Sequence, residues 1–248
     1  MDLFFDAAVQ AARLLLSRDP YVAEILVLSL RISGIAVLLG MMAGMPVGIA
    51  VALARFPGRD AVVAMIHTGF ALPPVVVGLF VYMLLSRQGP LGGLELVFTP
   101  TAMLLAQVII AAPYVAGISL AAVQAVPPDV RLQARALGAG PARALWTHVR
   151  EAWLGLGAAV VAGFGSIFSE VGAVMMVGGN IQGETRVLTT AIVLEARRGH
   201  FAIALALGMI VLAIAFTVNL LLTRLQQGER ARTSGAPGPP VPAAAWVE

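Results

Sequence analysis

Cysteine and lysine are both missing from this chain of 248 residues, and charged side chains of any kind make up only 12% of it. The first absence excludes disulfides, thiol nucleophiles and iron–sulfur ligation. No GxxxxGK[ST] segment occurs, so the chain does not hydrolyse ATP by the P-loop route, and ATP-driven work would require a separate ATPase chain. The three histidines, His67, His148 and His200, are far apart, and neither HExxH, CxxC nor an acidic cluster accompanies them. Metal sites draw on closely spaced ligands, so no metal site is expected.

What is abundant is apolar: 59% of residues, with a mean hydropathy of +0.91. That exceeds what a soluble domain carries and identifies an integral membrane protein. Segments long enough to cross a hydrocarbon core of about 30 Å run from Ile25 to Ala54, Ala61 to Leu85, Thr101 to Val126, Ala152 to Val177 and Phe201 to Leu225. The expected fold is therefore all-α and polytopic, with about five transmembrane helices over residues 21–226. Ahead of them, Leu3, Phe4, Ala7, Ala8, Ala11, Leu14 and Leu15 recur at helical spacing beside Asp2, Asp6, Arg13 and Arg18, the pattern of an amphipathic helix lying in the interface over residues 1–20. Residues 227–248, rich in Arg and then in Gly, Pro and Ala, read as a disordered tail. Pro73 and Pro74 remove two backbone donors and are expected to kink the second span, with Pro113 acting likewise in the third. In the fourth span, Ala159 with Gly163 and Gly165 with Ser169 are small pairs four apart, which allow helix backbones to approach closely.

One long polar stretch interrupts the spans: residues 127–151, PPDVRLQARALGAGPARALWTHVRE. Asp129 can cap a short helix, Gly138 can end it in the left-handed conformation, and Gly140 with Pro141 can open a second helix through Thr147. From Ala134 the run ARALGAGPARALW resembles the cytoplasmic coupling loop of permease subunits of binding-protein-dependent ABC importers, with Gly138 at the family's glycine. Leu132 and Gln133 stand where the family carries Glu and Ala, and Arg150 and Glu151 replace its closing Leu-Pro. The resemblance implies that Ala134, Gly138, Ala139, Gly140, Pro141 and Arg143 meet an ABC ATPase subunit, which would hold the ATP, and that the chain has the type I ABC importer permease architecture. It also implies residence in a bacterial or archaeal inner membrane.

The second informative stretch, residues 169–198, reads SEVGAVMMVGGNIQGETRVLTTAIVLEARR. EVGAVMMVGGNI followed by TRVLTTAIVLE is similar to the permease subunit of tungstate importers, and less closely to molybdate permeases of the same superfamily; sulfate stays open as a third substrate. A tetrahedral dianion presents only acceptor oxygens, and Asn180, Thr185, Arg186, Thr189 and Thr190 are potential donors. Thr185 could cap a short helix through Leu194 whose N-terminal dipole would favour an anion. An external connector with a capped helix is the alternative. Glu170, a carboxylate within an apolar span, would repel an anion, so a structural or gating role is expected, hydrogen-bonded or paired with an Arg outside its own helix. Pro73 and Pro74 complete the candidates for path or gate.

Arg55, Arg59, Arg131, Arg135, Arg143, Arg150, Arg224, Arg230 and Arg232 fall on one side of five spans, against Arg13, Arg18, Arg87, Arg186, Arg197 and Arg198 on the other. The bias places the loop of residues 127–151 and the C-terminus in the cytoplasm and the N-terminus outside. Drawing two negative charges into a cell that is negative inside costs about 4.6 kcal/mol per 100 mV. Import therefore requires the ATPase, and the resemblance adds an extracytoplasmic oxyanion-binding protein. Five helices are few to enclose a path, which calls for a second copy of the chain, set in membrane lipid and working by alternating access. No nucleic-acid partner is expected. From other classes, an intramembrane hydrolase using Ser166 or Ser169 and a stand-alone secondary transporter are the competing readings. The first lacks a GxSxG frame and the second an internal repeat.

Overall fold

The computed structural model describes residues 5, 9, 13 and 19–234. The expected interfacial helix of residues 1–20 and residues 235–248 of the expected tail lie mostly or wholly outside them. Among the described residues every regular element is a helix.

Helix α1, Pro20–Leu53, starts where Asp19 accepts from the amides of Tyr21 at 2.9 Å and Val22 at 3.3 Å, with Pro20 at the first helical position. Its 34 residues extend about 51 Å, so it crosses obliquely or projects beyond the core. The expected second span is two helices, α2 (Arg59–Ala71) and α3 (Pro74–Leu85), bent by 97°. Pro73 holds Leu72 extended and Pro74 opens α3, so the expected kink is a right-angle break. Helix α4, Pro100–Gln124, is capped by Thr99 and continues through Pro113 without a break.

Two short helices follow, α5 (Asp129–Ala136) and α6 (Pro141–Glu151), then α7 (Trp153–Phe168), α8 (Gly172–Gly178), α9 (Leu188–Arg197) and α10 (Phe201–Ser234). The fourth expected span is thus divided into α7 and α8 at Ser169 to Val171. Helix α10 takes in residues 227–234, which the sequence assigned to the tail. Helices α1 and α4, and α10 over Phe201–Leu221, are each long and apolar enough to cross a membrane; counting the bent pairs α2–α3 and α6–α7 (55°) as spans gives up to five.

The spine is α1 against α4. Gly40, Gly44 and Gly48 form a row along α1. A Cβ at Gly44 or Gly48 would fall on the carbonyl oxygens of Ala112 and Ala116 in α4. The two backbones therefore touch, as small residues four apart permit in lipid. Around this contact, Ile32, Ala36 and Val37 pack with Val77 and Val81 of α3, Met103 and Ile110 of α4, Ile167 of α7 and Val174 of α8. A second cluster joins Val22 and Ile25 to Phe168, Leu188, Leu207 and Ile210, fastening α9 and α10 to the start of α1. In α7, Ala159 is fully buried and Gly163 faces Val115 of α4, whereas Gly165 has open space at its Cβ position, so only the first small pair serves close packing. Large apolar side chains such as Met42, Leu212 and Phe216 stay about two-thirds exposed, as lipid-facing residues do.

Candidate coupling loop and path elements

Helices α5 and α6 form a hairpin at one end of the spans. Asp129, expected as a cap, is instead the first residue of α5 and makes no capping bond. The C-terminus of α5 follows the sequence reading: Gly138 sits at φ +86, its amide donates to Arg135 O at 2.9 Å and that of Ala139 to Ala134 O at 2.9 Å. These two bonds make a Schellman motif, which satisfies the last carbonyls of the helix and requires glycine for its backbone angle. Gly140 then caps α6 through its carbonyl, which accepts from Ala144 at 3.0 Å, and Pro141 is its first residue. Helix α6 continues past Thr147 to Glu151, because no breaker intervenes.

A concavity of about 410 Å³ gathers Ala134, Gly138, Ala139 and Arg143, with Val130, Gln133, Leu137 and Thr147. Pro141 lines a neighbouring groove with Arg131 and Leu145. Leu137 is 89% exposed, Trp146 67% and Leu132 63%. With Leu145 also exposed, four large apolar side chains on this largely polar hairpin are left uncovered by the described residues.

His148, set aside in the sequence as one of three scattered histidines, fixes this hairpin to the spans. It is buried, and its Nε2 lies 3.2 Å from Val123 O in the last turn of α4. With its proton on Nε2, the ring donates to a carbonyl that has no partner within its own helix. The buried Nδ1 has no hydrogen-bond partner. Burial, followed by the Arg131 guanidinium, holds the imidazole below its ordinary pKa, outweighing the opposing bond to Val123. No sequence motif marked this residue; its spacing on α6 with buried Ala144 was the available signal.

The stretch 169–198 is more tightly knotted than its donors suggested. The hydroxyl of Thr185 donates to Gly178 O and accepts from Ile181 N at 2.9 Å, so it ties the turn between α8 and α9 and does not cap the following helix. Helix α9 begins later, at Leu188, and ends at Arg197, with Val187 as its cap residue. Its first amides are already taken: Leu188 N donates to Ser29 Oγ of α1 at 2.8 Å, and Val187 N to Thr190 Oγ1 at 3.1 Å. Thr189 donates to Glu170 O at 2.9 Å. Thr185, Thr189 and Thr190 are all buried, and their hydroxyls are committed to the backbone, so an oxyanion finds no free threonine donor here.

Glu170 lies in the break between α7 and α8, and its Oε1 accepts from Ala173 N at 3.1 Å. It bonds to the first turn of α8, so of the two expected arrangements, hydrogen-bonded or paired with an Arg, the described residues have the first. Arg186 and Asn180 do come together. The guanidinium donates to Asn180 Oδ1 and O, both at 3.3 Å, and to Gln182 Oε1 at 3.1 Å, with Tyr21 of α1 beside it at 6.0 Å. Carbonyl and amide oxygens hold this cation in place without neutralising it. Pro73 and Pro74 sit at the α2–α3 break, in elements separate from this cluster.

Two features escaped the sequence reading. Glu195, buried, holds His200 Nδ1 at 2.8 Å and Arg198 at 3.2 Å across the α9–α10 turn. Phe98 has φ +63, donates to Val177 O at 2.8 Å and lays its ring against Gly179. With Gly179 at φ +69 and Asn180 at φ +56, left-handed backbone concentrates where the α3–α4 connector meets the α8–α9 turn.

Residues 37–231 match the family described as the binding-protein-dependent transport system inner membrane component. The chain is 45% identical over 223 residues, 88% of its own length and 94% of the relative's, to a probable anion ABC transporter permease protein of Haloferax volcanii. It is 36% identical over 217 residues, 88% of its length and 95% of the relative's, to the tungstate uptake system permease protein TupB of Peptoclostridium acidaminophilum. In three dimensions it superposes on a chain of the MetNI methionine ABC transporter in an inward-facing conformation, with a TM-score of 0.67 at 18% identity, covering 84% of this chain and 95% of that one.

Proposed function

Because the chain belongs to the binding-protein-dependent transport system inner membrane component family and has the fold of type I ABC importer permeases, we propose that it is the transmembrane subunit of an ATP-driven importer of an oxyanion, tungstate before molybdate or sulfate. The observation that carries the coupling role is the α5–α6 hairpin, whose apolar tip at Leu137 lies beyond the spans and whose base is bonded to α4 through His148. A separate ATPase subunit grips this tip and holds the ATP; the chain itself performs no catalysis and carries no cofactor. The arginine bias puts the hairpin and the C-terminus in the cytoplasm and the N-terminus outside, and two copies of the chain enclose the path within the lipid.

Tungstate rests on the residue 169–198 resemblance and on the TupB relative. Substrate is delivered by an extracytoplasmic binding protein to the outer ends of the helices, near the half-buried Arg186, which makes no ion pair among the described residues. Closure of the paired ATPases moves the hairpin, His148 passes that motion to α4, and α4 carries α1 with it through the glycine row. This is alternating access by packed elements that move together. The hydrolase reading has no support in the geometry: Ser169 donates to its own helix at Gly165 O, and His200 is engaged by Glu195.

The deciding experiment is elemental mass spectrometry of cells with and without the chain, grown at matched trace oxyanion. Loss of tungsten alone is the expected result. Loss of molybdenum or sulfur as well broadens the substrate, and unchanged tungsten refutes the tungstate assignment.

A further inference from the structure

Three arginines from three elements meet in one cavity of about 700 Å³: Arg55 just beyond the end of α1, Arg59 at the first position of α2, and Arg131 in the first turn of α5, with Ala52, Leu53 and Ala54 forming the rest of the wall. Arg59 Nε donates to Val51 O at 2.9 Å, closing one of the open carbonyls of α1 and fixing the guanidinium at the cavity. Arg59 and Arg131 are half-buried. Like charges gathered in this way repel. Asp60 and Asp129 are their neighbours in sequence, yet among the described residues only Glu195 makes ion pairs. The helix dipoles add to the imbalance: Arg59 and Arg131 stand in the first turns of α2 and α5, where a cation is disfavoured, and neither helix has a side-chain cap on its amides.

We propose that this cavity is a binding site for a phosphate-like anion, and that the anion it meets in the membrane is the headgroup of an acidic phospholipid of the inner leaflet. An acceptor-only group of charge −1 or −2 offsets the three guanidiniums and accepts their forked donors. The lipid source follows from position. The cavity opens where the apolar run of α1 gives way to Arg55 beside exposed Phe56, the apolar-to-basic border at which headgroups are met, and basic pockets between membrane helices on the cytoplasmic side suit such lipids. Because Arg131 belongs to the coupling hairpin and Arg55 and Arg59 to the spans, the bound headgroup clamps the hairpin base to the membrane. The inner-leaflet placement rests on the orientation given above; the anion chemistry does not.

The test uses the full chain in neutral detergent, titrated with dioctanoyl phosphatidylglycerol, with dioctanoyl phosphatidylcholine and with inorganic phosphate, reading the thermal unfolding midpoint. Phosphatidylglycerol is expected to raise the midpoint and phosphatidylcholine to leave it unchanged. Each Arg→Gln change at 55, 59 or 131 should weaken the apparent affinity about five-fold, and the triple variant on the order of a hundred-fold. Arg87→Gln, outside the cavity, should bind as the parent does. A comparable rise with inorganic phosphate, lost in the same variants, supports the anion site and assigns it to a free oxyanion. No rise with either anion, or a rise insensitive to all three substitutions, overturns the proposal. So does a triple variant that binds anion normally but no longer holds the ATPase, since acidic side chains of that partner would then be the occupants. If the triple variant fails to fold, Arg55→Gln alone decides, because Arg55 is exposed and makes no hydrogen bond within the described residues. Neither transport nor ATPase is needed for the titration, so failure of the tungstate reading leaves it intact. Arg55→Cys, in a chain free of other cysteines, reports sidedness separately by labelling with an impermeant maleimide.

Discussion

Replacing His148 by leucine keeps most of the buried volume of α6 and removes one donor. Val123 O, in the last turn of α4, then loses its 3.2 Å partner in a site where the histidine is only 4% exposed. Leaving such a buried acceptor unpaired costs about 1–3 kcal/mol, enough to loosen the hairpin from the spans without unfolding a helix. The expected result is an uncoupled transporter: in vesicles holding the permease and its ATPase, oxyanion taken up per ATP hydrolysed should fall several-fold while hydrolysis continues. The same change at exposed His67 should alter neither quantity.

Acid should imitate the mutation. Burial first and the Arg131 guanidinium second lower the folded-state pKa of His148 below its ordinary value, so the unfolded chain binds the proton more readily. The stability this group contributes is therefore complete above about pH 6.5 and declines as pH falls toward the lowered folded value. Protonation adds an N–H at the buried Nδ1, which has no acceptor. Arg131→Gln removes one cause of the lowering and should shrink the acid loss. Undiminished coupling in His148→Leu, or an acid loss of the same size in that variant as in the parent, would refute this account of the junction.

In α1, Gly44→Ala and Gly48→Ala should each lower the unfolding midpoint, at about 1–3 kcal/mol for overpacking, because the added methyl meets a carbonyl of α4; Gly34→Ala, with open space at that point, should be neutral or slightly stabilising. Gly138→Val should cost about 1–2 kcal/mol through its positive φ and weaken capture of the ATPase, and Leu137→Asp should abolish that capture while leaving the midpoint unchanged. Glu170→Ala should cost about 1 kcal/mol by uncapping α8, measurable as faster amide exchange from Ala173 onward, whereas a Glu170 that guarded an anion path would instead raise oxyanion uptake when neutralised.

The membrane class, the hairpin and its glycine hinge were legible because each depends on local chemistry: long apolar runs, a polar interruption, and one position needing left-handed backbone. The breaks were half legible. Pro73 and Pro74 announced a disturbance but not its size: Pro73 holds Leu72 extended and Pro74 opens a new helix, so α2 and α3 part at a right angle, whereas α4 continues through the single Pro113. The division of the fourth span at Ser169 to Val171 carried no proline or obvious stop; it becomes intelligible only once Glu170 is seen capping α8 and Thr189 reaching back to its carbonyl. The threonines misled for a related reason. A hydroxyl looks like a free donor in sequence, yet in an apolar surround unmet backbone carbonyls capture it first.

The same accounting separates the two kinds of polar residue in this membrane chain. Ser29, Thr185, Thr189, Thr190 and His148 are buried and spent on backbone groups that helix ends and turns leave open, so they hold broken helices together at depths where water cannot. Among the many arginines without an ion pair in the described residues, Arg186 at one end is held by carbonyl and amide oxygens, and Arg55, Arg59 and Arg131 at the other share one cavity. The buried hydroxyls and His148 are thus consumed by the fold, whereas the arginines at the two ends keep donors directed at open space, which is the premise of both proposals above. If substrate is the counter-ion at the first place and a lipid headgroup at the second, as proposed, the close α1–α4 contact along the glycine row is the packing that connects them, and Gly44→Ala should disturb both sites together.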